Sequence, residues 1–475
     1  MKAAVRDVLH KAIARYGDQP RTVELLRRQV ARLDEPLRVA IAGKVKAGKS
    51  TLLNALVGEA VAPTDAGECT KVVTWYRDGL SPRVTLYPKQ GGPAQLPVVR
   101  RDGALDIDLG RPADDVDRLV VDWPTRSLRT TTLIDTPGVA SVNADVSARA
   151  HRFLDPEDDT PTEADAVIYL MRHLHSADAD FLESFRDRGV ARATSVTTVA
   201  VLSRADEIGG GRADAMFSAR AIATRYRSEP ALRGLCQNVV AVAGLLAHTG
   251  RTLRQNEFTA LAELAAKPRE DLESALLSTD RFTRVHGHGE LVARFGLFGI
   301  RLATSLIRQG TRTPAELADE LVARSGLSDL QKVLTTQFTE RRDLLKARSA
   351  LLALERVTRG DDRGLARDIE RILAGAHEFA ELRLLSALRA GTVALPKPLV
   401  REAERLLGDD GGAAPVRLGL PLEADQRATR AAALEALRRW HEHAENPAFG
   451  RRASDACRVL VRTCEGLVTR TPGQR

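Results

Sequence analysis

Eight consecutive residues, Gly43-Lys44-Val45-Lys46-Ala47-Gly48-Lys49-Ser50, limit the fold of this chain more than any other stretch. They follow an apolar run at 39–42 and open a helical stretch at 51–56. Strand, glycine-bearing turn and helix in that order aim backbone N–H groups inward at a helix N-terminus, where the peptide dipoles favour an anion. The spacing of the two glycines and the Lys-Ser that follows is that of a triphosphate-binding loop. It places Gly43, Lys44, Val45, Lys46, Ala47, Gly48 and Thr51 around the phosphates, Lys49 at the β- and γ-phosphates, and the Ser50 hydroxyl on Mg²⁺.

The surrounding pattern suits such a loop. Runs at 38–42, 72–76, 83–87, 130–134, 166–170, 196–202 and 239–242 read as strands, and helical or polar segments separate them. Several are apolar without alternation, as strands buried on both faces must be, so the expectation is an α/β fold with a mostly parallel sheet. After about residue 250 the pattern turns helical. Thr313-Pro314-Ala315-Glu316 is a capping box with proline at the first helical position, and Gly326 suits the stop. Ser328 with Gln331 opens a helix whose stripe runs Leu330, Leu334, Phe338, Leu345, Leu352. Leu365, Ile369, Ile372, Ala376, Phe379 and Leu382 predict one long helix over 364–389, with further helices at 399–407, 424–444 and 451–468. Helices with one apolar face each need one another, which predicts an all-α bundle. Residues 1–36, two helices broken at Gly17 and Pro20, are expected to join it. The reading therefore divides the chain into 1–36, a head over 37–327 (core 37–250, helical extension 251–327) and a bundle over 328–475.

Three more segments bear on the loop. Asp135-Thr136-Pro137-Gly138 ends a strand; Asp135 stands where a carboxylate holds Mg²⁺, usually through water, and the Gly138 N–H can sense the γ-phosphate. Thr70, just before the run at 72–76, can complete the Mg²⁺ shell, with Thr64 a competing candidate in the same loop. Ser203-Arg204-Ala205-Asp206 ends another strand. The Asp206 carboxylate can accept from guanine N1–H and its exocyclic amino group, which adenine cannot supply, and the Arg204 stem can lie on the purine. Asn/Thr-Lys-x-Asp is the usual wording, so Ser203 and Arg204 both depart from it, and the shorter Ser203 weakens the brace to the loop. Ala243, after the last strand, is expected to lie over the base.

Composition adds constraints. At roughly 100–200 residues per domain, 475 residues make several units with ample core. From residue 341 onward there are 25 Lys and Arg against 19 Asp and Glu, most of the net charge of +8. That excess fits an anionic membrane surface, nucleic acid, or simply an Arg-rich solvated face. Arg438-Arg439 and Arg451-Arg452 lack interleaved aromatics for stacking bases, which counts against single-strand nucleic acid. Cys457 and Cys464, seven apart, would sit about 10 Å apart on a helix, beyond disulfide reach. With Cys69 and Cys236 scattered, a reducing cytoplasm is the expected setting. Met1-Lys2-Ala3-Ala4-Val5-Arg6 is charged where a signal peptide would be apolar, and the longest apolar stretch, 239–247, is far short of a membrane span. Any membrane contact is expected to be peripheral. His173-Leu174-His175 and His286-Gly287-His288 have no further partner at metal-ligand spacing.

Ile41-Ala42-Gly43, continuing through Ala47-Gly48-Lys49-Ser50-Thr51-Leu52-Leu53-Asn54-Ala55-Leu56, resembles the phosphate loop of bacterial dynamin-like GTPases. Ala62-Pro63-Thr64-Asp65 with Cys69-Thr70 looks like their first switch. Ser203-Arg204-Ala205-Asp206-Glu207 and Phe295-Gly296-Leu297-Phe298-Gly299-Ile300 narrow the likeness to the isoniazid-inducible group of actinobacteria. The resemblance implies a GTP-hydrolysing head on a helical neck and trunk, a companion dynamin-like protein, and remodelling or maintenance of a membrane. By analogy, two GTP-bound heads would pair head to head. The bundle would touch the anionic inner face of the cell membrane at 391–398 or 408–421. One position departs from many dynamin relatives: Lys46 stands where a serine helps hold a monovalent cation. The related guanylate-binding proteins carry an internal arginine finger in that slot, so Lys46 is expected either to bring positive charge to the β–γ bridge or to point to solvent. No side chain suggests a general base, in keeping with water placed by the Thr70 backbone. The rival reading is a regulatory GTPase that uses its helical part to bind a protein or RNA.

Overall fold

The computed structural model describes residues 1–63, 68–101, 103–138, 163–175, 178–179, 182–183, 197–358 and 362–470. Eleven strands are present among them: β1 Leu37–Gly43, β2 Val73–Asp78, β3 Arg83–Pro88, β4 Ala94–Leu96, β5 Val99–Arg101, β6 Ala104–Asp106, β7 Val116–Trp123, β8 Thr131–Asp135, β9 Ala166–Met171, β10 Thr198–Ser203 and β11 Asn238–Val242. Nine form one sheet in the order β11-β10-β9-β1-β8-β2-β7-β3-β4, and β5 and β6 form a separate hairpin. From β11 to β8 every pairing is parallel. β2 runs antiparallel to β8 and parallel to β7, and β3 and β4 complete an antiparallel edge. β9 and β10 are buried at every position, which explains their unbroken apolar runs.

The parallel register brings strand ends together. Ile41 pairs with Asp135, Gly43 with Leu170, Leu202 with Met171 and Ser203 with Val242. The loops after β1, β8, β9, β10 and β11 therefore leave from one carboxyl edge, where open α/β sheets bind their ligands.

One interior strand escaped the sequence reading. β7 lies between β2 and β3, yet carries Asp117, Arg118 and Asp122. The neighbouring strands take up two of those charges: Arg118 stacks on Tyr87 of β3 at 4.6 Å and Asp122 pairs with Arg77 of β2. The helical half needs three corrections. The single helix expected over 364–389 is two, Arg363–Gly375 and His377–Arg389, broken where Ala376 turns extended at ψ 108°. Ser328 does not cap its helix: Leu327–Leu334 starts after Gly326 at φ 80°, and Ser325 Oγ accepts from Leu327 N. Finally, the loop expected at 408–421 contains a short helix, Ala414–Arg417, tied to the bundle by Arg417 Nη2 donating to Glu381 Oε1 at 2.6 Å.

The capping box at Thr313 forms as read. The helix Leu327–Leu334 passes through one π turn, Thr335–Thr339, before Arg342–Thr358 continues the neck. Leu327, Leu330, Phe338 and Leu345 are buried in the same core as Val39, Leu133 and Leu56 of the head. Val5, Leu9 and Leu26 of the helices Lys2–Arg15 and Pro20–Arg32 pack on Leu351, Leu354 and Ile369. Trp440, Cys457, Leu460 and Leu385 centre a further core in the trunk. Among the described residues no helix is long and apolar enough to cross a membrane.

Candidate nucleotide site

The loop after β1 requires its glycines. Gly43 holds φ 147°, and a Cβ there would lie 2.5 Å from Leu170 O on the neighbouring strand. Gly48, at φ 91°, caps the helix Lys49–Val57. Among the described residues only Lys46 (φ 61°) and Arg204 (φ 51°) hold positive φ without being glycine, and both belong to this site. Backbone held in a sparsely populated region is characteristic of ligand-binding loops.

Lys49 folds back over the turn, its Nζ donating to Gly43 O at 3.2 Å and Lys44 O at 3.3 Å. Burial pulls its pKa below the usual lysine value, and the nearby Asp135 opposes that shift. Ser50 Oγ donates to Asp135 Oδ2 at 2.8 Å. Asp135 Oδ1 is buried with no hydrogen-bond partner. Burial raises the pKa of this carboxyl, while Lys49 and the Ser50 hydrogen bond pull it down. A hydroxyl and a buried carboxylate with one oxygen unsatisfied are hard oxygen donors of the kind Mg²⁺ takes, so the residues fit that ion. Thr136 fixes the turn that follows: its N and Oγ1 both donate to Ile41 O, at 3.3 and 2.9 Å. A Cβ on Gly138 would lie 2.5 Å from Val45 Cγ2 and 2.9 Å from Val45 Cα, so only glycine lets this segment rest on the phosphate loop.

Beside the loop lies a cavity of about 140 Å³, walled by Gly48, Thr51, Ser203, Arg204, Asp206 and Leu245 among others. Asp206 is 7% exposed, and burial pushes its carboxyl up to about 6. Arg204 Nη1 donates to Glu207 Oε1 at 2.7 Å, and Arg172 Nη2 to Glu207 Oε2 at 2.6 Å. Ser203 Oγ donates to Met171 O at 3.2 Å and so braces β9. Ala243 is fully buried with its N–H on Ser325 O; its neighbours Val242, Gly244 and Leu245 line the cavity instead.

Other expected residues lie less centrally. Lys44 turns from the phosphate position, its Nζ 3.1 Å from Asp178 Oδ2. Asp178 is 1% exposed and also accepts from the Tyr169 hydroxyl at 2.7 Å and His175 N at 3.0 Å. Lys46 is exposed. Thr70 sits inside a 3₁₀ turn, Glu68–Lys71, and not directly ahead of a strand, because β2 starts only at Val73. Thr64 lies outside the described residues. Among those residues no cluster of histidine, cysteine and carboxylates is set to hold a metal, and the two His-x-His stretches form none.

Sequence reasoning passed over Asn54 and Asp178. Asn54 is buried, its Oδ1 accepting from Val61 N at 2.9 Å and Ala62 N at 2.7 Å, and its Nδ2 donating to Ala62 O at 2.8 Å. It roots the loop that leads to Thr70 on the helix that starts at Lys49. A lone amide inside the apolar run Leu52-Leu53-Asn54-Ala55-Leu56 was the available signal. Asp178 gave none, since its partners are distant in sequence or main chain.

A P-loop sequence at the carboxyl edge of a mostly parallel sheet, with a cavity beside it and a helical stalk, is the architecture of a P-loop GTPase head on a stalk. Residues 39–95 match the Dynamin family. Over 99% of its length the chain is 42% identical to Isoniazid-induced protein IniC of Mycobacterium tuberculosis, of which it covers 99%. It therefore belongs to the IniC family of bacterial dynamin-like GTPases. A shorter part, 22% of this chain, is 34% identical to Bacterial dynamin-like protein of Nostoc punctiforme and covers 17% of it. A solved structure reported as an oligomerised bacterial dynamin pair for long-range sensing and tethering of membranes aligns with 98% of this chain and 79% of its own. The identity is 15% and the TM-score 0.33.

Proposed function

We propose that this protein binds GTP with Mg²⁺, hydrolyses it to GDP and phosphate, and couples that reaction to the remodelling or maintenance of a membrane. The observation that carries the reading is the Ser50–Asp135 pair under the phosphate loop, in line with a base cavity ended by Asp206. Backbone N–H groups from Gly43 to Thr51 receive the triphosphate, and Lys49 leaves its two carbonyl acceptors for the β- and γ-phosphates. Ser50, Thr70 and Asp135 would hold Mg²⁺, which would neutralise charge on the phosphate oxygens. Water placed by the Thr70 main chain attacks the γ-phosphorus, the bond from that phosphorus to the bridging oxygen breaks with its electron pair staying on GDP, and inorganic phosphate forms as the water's protons pass to it and to solvent. Gly138, resting on Val45, reads the presence of the γ-phosphate. Lys46, exposed on the rim of the loop, is a finger for the charge that grows on the bridging oxygen. Arg204 and Asp206 hold the guanine, Ser203 supports them from behind, and Ala243 sets the turn whose neighbours cover the base.

The remaining steps rest on family analogy. GTP-bound heads pair across their sites, a companion dynamin-like protein takes part, and the bundle makes peripheral contact with the anionic inner membrane face, with no nucleic-acid partner. Calorimetry with full-length protein tests the core of this reading. A non-hydrolysable GTP analogue with Mg²⁺ should give heat that an adenine analogue does not. Absence of heat with both ends the reading.

A further inference from the structure

The helix Gly289–Arg308 does not run straight. Gly296 breaks it at φ 63° and ψ 173°, a backbone region essentially reserved to glycine. The break faces two residues of the cavity wall: a Cβ on Gly296 would stand in ordinary contact with Leu245 Cδ2, at 3.8 Å, and Asp206 Oδ2, at 3.9 Å. Past the break, the same helix grips the far end of the Asp206 loop. Arg301 Nη1 donates to Gly211 O, while its Nε reaches Glu273 Oε2 at 3.0 Å and its Nη2 reaches Leu276 O at 3.2 Å. Phe298 N lies 3.5 Å from where a Cβ on Gly211 would stand.

This arrangement bears on how little water Asp206 keeps, since the residue is 7% exposed. A carboxylate wet on its far side retains much of its hydration, and its hydrogen bonds to a base then discriminate little. Main chain packed against that side removes the water, so only a base donating two N–H groups restores what the carboxylate has lost. We propose that this broken helix is a specificity-determining element for the purine: the break at Gly296 packs beside the Asp206 carboxylate and keeps water from it, and Arg301 fixes the end of its loop. The proposal rests on Asp206 as the guanine-selecting group and adds what makes that selection sharp.

Inosine triphosphate keeps guanine's ring N–H and lacks its exocyclic amino group, so the ratio of GTP to inosine triphosphate affinity reads the second hydrogen bond directly. Measured on the full chain with Mg²⁺, Gly296→Ala should lower that ratio by about tenfold, with inosine triphosphate affinity changing less than GTP affinity. Arg301→Lys, which leaves the break in place but loosens Gly211, should move the ratio the same way and keeps the test open if the alanine variant does not fold. Equal losses for both nucleotides, or an unchanged ratio in both variants, would mean that the helix only supports the fold, and the proposal falls while the Asp206 reading stands. A wild-type protein that does not prefer GTP to ATP brings down both.

Discussion

Ser50 Oγ lies 2.8 Å from Asp135 Oδ2, while Oδ1 of the same carboxylate is buried and receives no donor. A charge held this way disfavours the ligand-free fold and favours a cation. Asp135→Asn should therefore raise the Tm of the nucleotide-free protein and weaken Mg²⁺-dependent GTP binding by about 10- to 100-fold, the weight of a charge-assisted contact. Thermal melts with and without Mg²⁺ and GTP show both signs in one experiment. A lower Tm without ligand would contradict the account.

Asp206 fixes a pH dependence. Its carboxyl, near 3.8 when unfolded, stands at about 6 in the fold because of burial. A raised carboxyl pKa favours folding at low pH, so its contribution is full below about pH 4 and is lost as pH rises through 6, by about 3 kcal/mol at most. The proposed pairing with guanine needs the ionised form, which alone accepts two hydrogen bonds. GTP affinity should be flat above pH 7 and fall up to about tenfold per unit below 6. Asp206→Asn should flatten this titration profile and turn preference towards xanthine, whose carbonyl accepts from the amide.

Asn54→Ala would strand the buried Val61 and Ala62 N–H groups and the Ala62 carbonyl. Urea denaturation should show a loss of about 1–3 kcal/mol, and limited proteolysis should cut after residue 60 sooner than in wild type.

Lys46→Ala should slow GTP turnover by about 10- to 100-fold while leaving GTP affinity within about twofold, since a finger acts only as charge develops. Single-turnover assays in sodium and in potassium separate the two quantities. Wild-type rates in both salts would end the finger reading.

Membrane coupling is tested by pelleting with anionic vesicles. The full chain should co-sediment, less so with 391–398 removed, and increasing salt should release it. RNA binding with no vesicle binding would favour a regulatory GTPase instead.

The parallel half of the sheet was legible because β9 and β10 are buried at every position, and β1 at every position but Arg38, which calls for nearly continuous apolar runs. β7 was not, because partners elsewhere in the chain absorb its charges. Likewise, Ala376 belongs to an unbroken apolar stripe, so nothing in the periodicity marks the break that its backbone makes. Within the site, the turn that brings Gly43, Lys44, Gly48 and Lys49 together is local and could be read directly. The direction of the Lys44 side chain could not, because the carboxylate that claims it, Asp178, arrives from another strand's loop.

The core shared by head and neck bears on how this molecule can be dissected. Leu330, Phe338 and Leu345 lie beyond the boundary that periodicity places at 327, yet they are buried in one core with Val39, Leu56 and Leu133 of the head. A recombinant fragment ending at 327 would expose a greasy floor, at about 1.5–3 kcal/mol for each missing side chain. A minimal catalytic piece must keep the stalk's first turns, since they are flooring for the head before they are anything else.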